Sequence, residues 1–256
     1  MPRYFIEVSY KGTRYSGSQV QQNAITIQSE LEKALATCFR KSFSLTGASR
    51  TDTGVHALQN YFHFDTGDDH FYATENSTEE EISPKGLYSL NAVLPDDIVI
   101  KKIFHVGDKV HCRFDAISRR YKYYIYSKKN PFYKDTRYFY PYTLDFEKLQ
   151  HSAAIILNTE NFASFSKRNI QVNNFICLIK KSEWQKKNNS IVYDVVANRF
   201  LRGMVRGLVG TMLKVGRGRI SLTEFADIIK NNNCAKADFS VPPGGLYLVE
   251  IKYNTF

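Results

Sequence analysis

Two kinds of apolar spacing alternate along this chain in an order that occurs twice, and that order restricts the fold more than any single residue does. Tyr4 to Tyr10 repeats every second residue, as a strand does, and Lys11 to Gly17 then carries the glycines and polar residues of a loop. From Thr26 to Phe39 the apolar positions Ile27, Leu31, Leu35 and Cys38 follow helical spacing, with Thr26 as N-cap and Glu30 in the first turn. Strand patterns follow around Leu45 and from Ala57 to Phe64, then a short helix from Gly86 to Leu94 and a strand from Ile98 to His105. From Tyr121 the order recurs: a strand to Tyr126, a helix from Phe146 to Leu157, strands near Phe175 to Trp184 and from Ile191 to Ala197, and a helix from Phe200 to Val215. A further helix from Leu222 to Asn231 precedes a last strand from Leu246 to Tyr253. Such an order predicts an α+β protein of two ferredoxin-like β-α-β-β-α-β halves, 1–110 and 111–256, each with helices on one face of an antiparallel sheet.

A chain of 256 residues can bury a full core. Its formal charge of +10 biases the surface towards polyanions, because Lys and Arg contacts to phosphate release condensed counterions, so nucleic acid is the leading partner class. A basic surface without a partner is the plainer alternative. Arg119-Arg120-Tyr121-Lys122-Tyr123-Tyr124-Ile125-Tyr126 interleaves cations with rings, as single-stranded RNA recognition does, and fits a half-buried strand equally well. Cys38, Cys112, Cys177 and Cys234 lie far apart, which predicts reduced thiols in the core rather than a zinc ribbon or a disulfide framework. The chain starts directly on strand-like alternation, and no segment reaches the ~18 apolar residues of a membrane span, which predicts a cytoplasmic protein. The acidic stretch from Asp65 to Ser83, rich in Thr, Ser and Asn, reads as a surface excursion.

The segment Gly47-Ala48-Ser49-Arg50-Thr51-Asp52-Thr53-Gly54-Val55-His56-Ala57 supplies turn chemistry between two strand patterns and places Asp52 on a loop, where reactive groups tend to lie. An aspartate closing an Asx-turn beside a solvated arginine is the simpler account of the same residues. His56, beside an apolar run, reads first as a hydrogen-bonded structural residue. The six histidines form no His-Glu-x-x-His, no cysteine pair completes a deaminase signature, and no Walker loop occurs, so neither a metal nor a nucleotide cofactor is implied. The stretch Phe200 to Gly210 holds three glycines that each cost about 1 kcal/mol in a helix interior, which predicts close packing against a sheet. On that helix Arg202 and Arg206 share one flank, and a half-buried arginine there would need a carboxylate such as Asp52.

Gly-x-x-Arg-Thr-Asp-x-Gly-Val-His-Ala at Gly47 to Ala57 resembles the catalytic signature of the TruA family of tRNA pseudouridine synthases. Four further stretches agree in the family's order. They are Tyr10-Lys11-Gly12-Thr13 with Tyr15, Gly17, Gln19 and Gln21; Arg119 to Tyr123; Phe200-Leu201 with Met204-Val205-Arg206 and Val209-Gly210; and Gly245 to Val249. Two positions depart from the pattern: Ser18 stands where the family usually has tryptophan, and Ser49 where it usually has glycine.

The resemblance implies one pseudouridine synthase core with Asp52 as nucleophile, Arg206 paired to it, and Tyr121 over a flipped uracil and involved in proton removal. It further implies that Arg50 fills the space the base leaves and that Leu246 contacts the uracil from the other side. By the same resemblance the substrate is tRNA at positions 38 to 40 of the anticodon arm, the enzyme is a homodimer, and no metal or cofactor takes part. Without the resemblance a non-catalytic RNA-binding protein on the same sheet ranks first. A glycosidase-like hydrolase would need a second acid, for which Asp65, Asp68 and Asp69 are the nearest in sequence.

Overall fold

A computed structural model of the chain describes residues 1–67, 82–167, 174–187, 189–232 and 234–254. Most of the 65–83 excursion therefore lies outside the described residues. The chain divides into two compact units, Met1–Ile117 with Leu248–Phe256, and Ser118–Tyr247. Nine strands and five α-helices are described, so the protein is mixed α+β, and the strand pairings within each unit are antiparallel except one.

In the first unit β1 (Arg3–Tyr10) lies between β3 (His56–Asp65) and β4 (Ile98–Val106), and the two-residue β2 (Thr46–Gly47) pairs with β3. Strand β1 is covered on both faces, with Tyr4, Ile6 and Val8 buried on one and Phe5 and Glu7 on the other. One face carries Tyr4, Phe62 and Phe64, and Phe43 sets its ring edge-on to Phe64 at 5.3 Å. Across the other face Phe5, Tyr61, Phe104 and Tyr253 form a second aromatic cluster. Helix α1 (Ile27–Phe39) begins where Thr26 and Ser29 form a capping box and buries Ile27, Leu31 and Leu35, as the spacing predicted. Helix α2 (Pro84–Val93) starts two residues earlier than predicted, because Ser83 caps it and Pro84 suits the first turn.

In the second unit β8 (Ser190–Ala197) lies between β5 (Ser118–Tyr126) and β7 (Ile179–Lys187), while β6 (Tyr138–Phe139) pairs parallel with β5. Helix α3 (Phe146–Leu157) has the predicted bounds and docks on β7, where the Gln150 side chain accepts from the Trp184 backbone N–H at 2.9 Å. Helix α4 (Met204–Gly216) is buried almost all round, and α5 (Leu222–Lys230) buries Phe225, Ile228 and Ile229. The tyrosines of β5 divide by face. Tyr121 and Tyr123 are buried, whereas Arg120 and Lys122 lie beside Asp194, which is fully buried and takes both Nε and Nη2 of Arg120 at 2.9 and 2.6 Å. Burial opposes ionisation of Asp194, yet the hydrogen bonds from Arg120 and Lys181 hold its carboxyl below the usual range.

Helix α4 corrects two expectations. It starts at Met204 rather than Phe200, because Gly203 takes the N-cap position at φ 75°, a backbone that suits glycine. Arg202 therefore precedes the helix and shares no helical flank with Arg206. The two interior glycines meet a loop rather than a sheet: a Cβ on Gly207 would press into the Phe239 ring at 2.7 Å, and one on Gly210 would collide with the Asp238 carbonyl. Two of the cysteines, Cys112 and Cys177, are buried, while Cys38 and Cys234 are half-buried, and all four are free thiols. Among the described residues no helix is long and apolar enough to cross a membrane.

Candidate active site

The loop joining β2 to β3 carries Arg50 and Asp52, and the first unit holds it from several sides. Between Asp52 and Val55 the backbone makes a turn closed by the Val55 N–H to the Asp52 carbonyl at 3.1 Å, with Gly54 at φ 77° in the third position, where a type II turn needs positive φ. Asp52 itself is half-exposed and Arg50 is exposed, while Ser49, Thr51 and Val55 on either side are buried. Asp52 thus lies between a buried Thr51 and an exposed Thr53, where the packed part of the loop gives way to solvent.

Thr51 explains the rigidity. Its N–H donates to Ser18 Oγ at 2.8 Å, its carbonyl accepts from the Ser18 N–H at 3.1 Å, and its hydroxyl meets the Tyr10 hydroxyl at 2.8 Å. The Asn60 amide donates to that Tyr10 oxygen at 3.2 Å and to the Ser49 carbonyl at 3.0 Å. Burial pushes the Tyr10 hydroxyl up to about 12, so it stays neutral at working pH. Beyond the turn, the Gly54 N–H donates to the Tyr15 carbonyl at 3.4 Å, and His56 Nδ1 accepts from the Gly12 N–H at 3.0 Å. His56 is 1% exposed, in keeping with a structural role. Gly12 has no room for a side chain, since a Cβ would collide with the Val55 carbonyl. Farther out, Asp97 accepts from Tyr15 at 2.5 Å and from Arg14 Nε and Nη2 at 2.7 and 2.9 Å, which fixes the segment leading to Gly17.

Tyr121, Arg206 and Leu246 belong to the second unit. Arg206 is half-buried on the first turn of α4 and donates from Nε to the Val241 carbonyl at 2.9 Å and from Nη2 to the Phe239 carbonyl at 3.3 Å. The Tyr123 hydroxyl donates to the next carbonyl, Pro242, at 2.6 Å. Burial raises the pKa of Tyr123 while the Arg206 charge works against that rise. A Cβ on Gly245 would press on the Tyr123 ring at 2.8 Å, so Leu246, buried at the head of β9 (Leu246–Lys252), is set in place by the same neighbourhood. Tyr121 is 8% exposed and packs edge-on to Phe200, with ring centroids 5.1 Å apart.

One group among the described residues has the makings of a metal site. His63, His111 and Cys112, in the first unit, bring ligand atoms within 4.8 Å of one another. His63 Nδ1 accepts from the Cys112 N–H at 3.3 Å, and His111 Nδ1 accepts from the Arg113 N–H at 3.1 Å. Nδ1 therefore bears the lone pair and Nε2 the proton, so either imidazole would have to surrender a hydrogen bond or change tautomer before binding a cation.

Tyr10, Ser18 and Asn60 are the residues that sequence reasoning missed as parts of this site. Asn60 left a signal, being a buried polar residue next to the apolar run Tyr61-Phe62 of β3. Tyr10 stood out only within a family block and Ser18 only as a departure from it, with no role assigned, because their link to Thr51 spans more than thirty residues.

Known proteins resemble this one over nearly its whole length. The family described as tRNA pseudouridine synthase matches residues 6–115 and 155–254. A Bacteroides fragilis protein named tRNA pseudouridine synthase A is 43% identical over 252 residues, covering 98% of this chain and 96% of that protein. Its namesake in Parabacteroides distasonis is 40% identical over 257 residues, with 99% and 96% covered. The Staphylococcus aureus strain N315 protein of that name is 34% identical over 252 residues, with 97% and 90% covered.

Proposed function

This chain belongs to the tRNA pseudouridine synthase family and isomerises uridine to pseudouridine in tRNA, and we propose that Asp52 is the nucleophile of that reaction. The observation that supports the assignment is the half-buried Asp52 following directly on Thr51, which is buried and whose two peptide groups are hydrogen-bonded. Isomerisation breaks the bond from the ribose to a uracil nitrogen, turns the ring and rejoins it through carbon. One proton leaves that carbon and one is gained at the freed nitrogen, so composition and oxidation state are unchanged and neither ATP nor a redox cofactor is required. A nucleophilic carboxylate splits this exchange into two easier steps.

The remaining roles follow the family resemblance. Arg206 pairs with Asp52 and favours its charged form. Tyr121 lies over the extruded uracil and takes part in removing the proton, and Leu246 contacts the ring from the other side. Arg50 fills the gap left in the RNA, offsetting a few kcal/mol of lost stacking. The target lies in the anticodon arm at positions 38 to 40, the enzyme works as a cytoplasmic homodimer, and the +10 charge draws the RNA to it. Each half is ferredoxin-like in this reading. For the first unit the support is its pairing order β4-β1-β3-β2, which a β-α-β-β-α-β unit produces when both helices cover one face.

Unmodified tRNA incubated with the wild type and with Asp52→Asn tests the nucleophile. Pseudouridine counted by chemical labelling should form with the wild type alone. Product from the variant at the wild-type rate removes Asp52 from this role.

A further inference from the structure

We infer that Ser18 is a positioning residue for the Asp52 carboxylate, acting through the two peptide groups of Thr51. The inference rests on the reading of Asp52 as nucleophile and adds to it the device that aims it. Ser18 is 2% exposed, so it is closed to RNA, and any effect it has on the reaction passes through the protein. Its hydroxyl accepts from the Thr51 N–H at 2.8 Å and donates to the Ser49 carbonyl at 3.4 Å, while its backbone N–H donates to the Thr51 carbonyl at 3.1 Å. One residue therefore holds both peptide groups of the residue that precedes Asp52, the second of which joins it to Asp52.

The other end of this clamp is fixed to a helix. The Ser18 carbonyl accepts from the Gln28 N–H at 3.0 Å, and the Gly17 carbonyl accepts from the Ile27 N–H at 3.2 Å, both in the first turn of α1. Gly17, at φ 97°, makes the bend that brings Ser18 to Thr51, and a Cβ there would meet the Thr51 carbonyl at 2.8 Å. The loop thus takes its place from a capped helix rather than from its own turn alone. The Tyr10 hydroxyl, which also interacts with the Ser18 side chain, holds the Thr51 side chain at 2.8 Å. Removing the Ser18 hydroxyl leaves a buried N–H without its acceptor, and the loop must shift or admit water to satisfy it. A shift of about 1 Å in a reacting group is enough to slow a reaction on the order of 100-fold without touching the binding surface.

The experiment compares kcat and KM on unmodified tRNA transcript for the wild type, Ser18→Ala, Ser18→Thr and Asp52→Asn, with thermal unfolding of each. Ser18→Ala should lower kcat at least about tenfold, with KM within about twofold of wild type, and Ser18→Thr, which keeps the hydroxyl, should recover most of the rate. A wild-type kcat in Ser18→Ala overturns the inference, as does a rise in KM alone or a failure of Ser18→Thr to recover. Should Ser18→Ala not fold, Tyr10→Phe reads the same loop through its other tether, and an unchanged kcat there overturns the inference equally. An inactive Asp52→Asn beside a fully active Ser18→Ala sinks this inference and spares the nucleophile. An active Asp52→Asn sinks the nucleophile itself.

Discussion

The Asp52 loop in the first unit and the segment 238–245 in the second are both irregular chain held firmly, by opposite means. Around Asp52 the holding groups are side chains: Ser18 and Asn60 bond backbone groups of residues 49 to 51, and the Tyr10 hydroxyl meets the Thr51 hydroxyl. Against α4 the means is a missing side chain, since Gly207 and Gly210 let Phe239 and the Asp238 carbonyl approach the helix axis. Arg206 and Tyr123 then bind the carbonyls that follow. The first arrangement fails when an atom is removed, the second when one is added.

The largest effect should come from adding one. Gly210→Ala places a methyl group on the Asp238 carbonyl, and backbone on both sides resists moving, so unfolding in urea should show a loss of about 4 kcal/mol or more. Gly218→Ala is the control. Gly218 has φ 68° and open space around it, so the same change should cost only about 1 to 2 kcal/mol of backbone strain. Equal losses at the two sites would break the comparison.

Next in size is Arg206→Ala. It takes two donors from the carbonyls of Val241 and Phe239 and, on the proposed mechanism, the charge that pairs with Asp52. Turnover should fall about 100-fold or more, roughly 3 kcal/mol in the barrier, while tRNA is still retained in a filter-binding assay. Unchanged turnover would count against the ion pair and leave Arg206 as an anchor of the 239–242 segment only.

A smaller effect separates the units by pH. Burial, helped by the Arg3 and His111 charges, pushes His63 in the first unit down to about 4 from an ordinary value near 6.5. Its contribution is therefore complete above pH 6.5 and is lost as pH falls from 6.5 through 4, amounting to no more than about 3 kcal/mol. Protonation must break the Cys112 N–H bond to Nδ1, so amides of β3 and of residues 107–117 should lose exchange protection first. Trp184, the only tryptophan, lies in the second unit and its fluorescence should change later. A tryptophan signal that moves first would contradict this order.

What the sequence disclosed follows the same division. Helices α1 and α3 were legible because their signals are local: a capping residue, then apolar positions on one face. The start of α4 was not, since Phe200 and Leu201 continue the apolar pattern and only the left-handed backbone at Gly203 separates them from the helix. Its glycines were visible as an anomaly, but their partner is a loop thirty residues on, which periodicity does not address. Strand β1 gave its position and hid its environment, because the polar Glu7 and Ser9 suggest a wet face where Phe5 and Glu7 are in fact buried. Asp52 was conspicuous through its motif, whereas Ser18 stood out only as a departure from the family pattern. The bond from Ser18 to Thr51 exists only once α1 and β3 are packed in one unit.

Lengthening the reactive arm tests the central claim most directly, because it keeps the charge and changes only its place. With Asp52→Glu the pseudouridine formed per enzyme at saturating tRNA should fall at least about 100-fold, the carboxylate having moved by roughly one bond length from where the loop aims it. Formation at the wild-type rate would contradict both the nucleophile and the rigid loop that presents it.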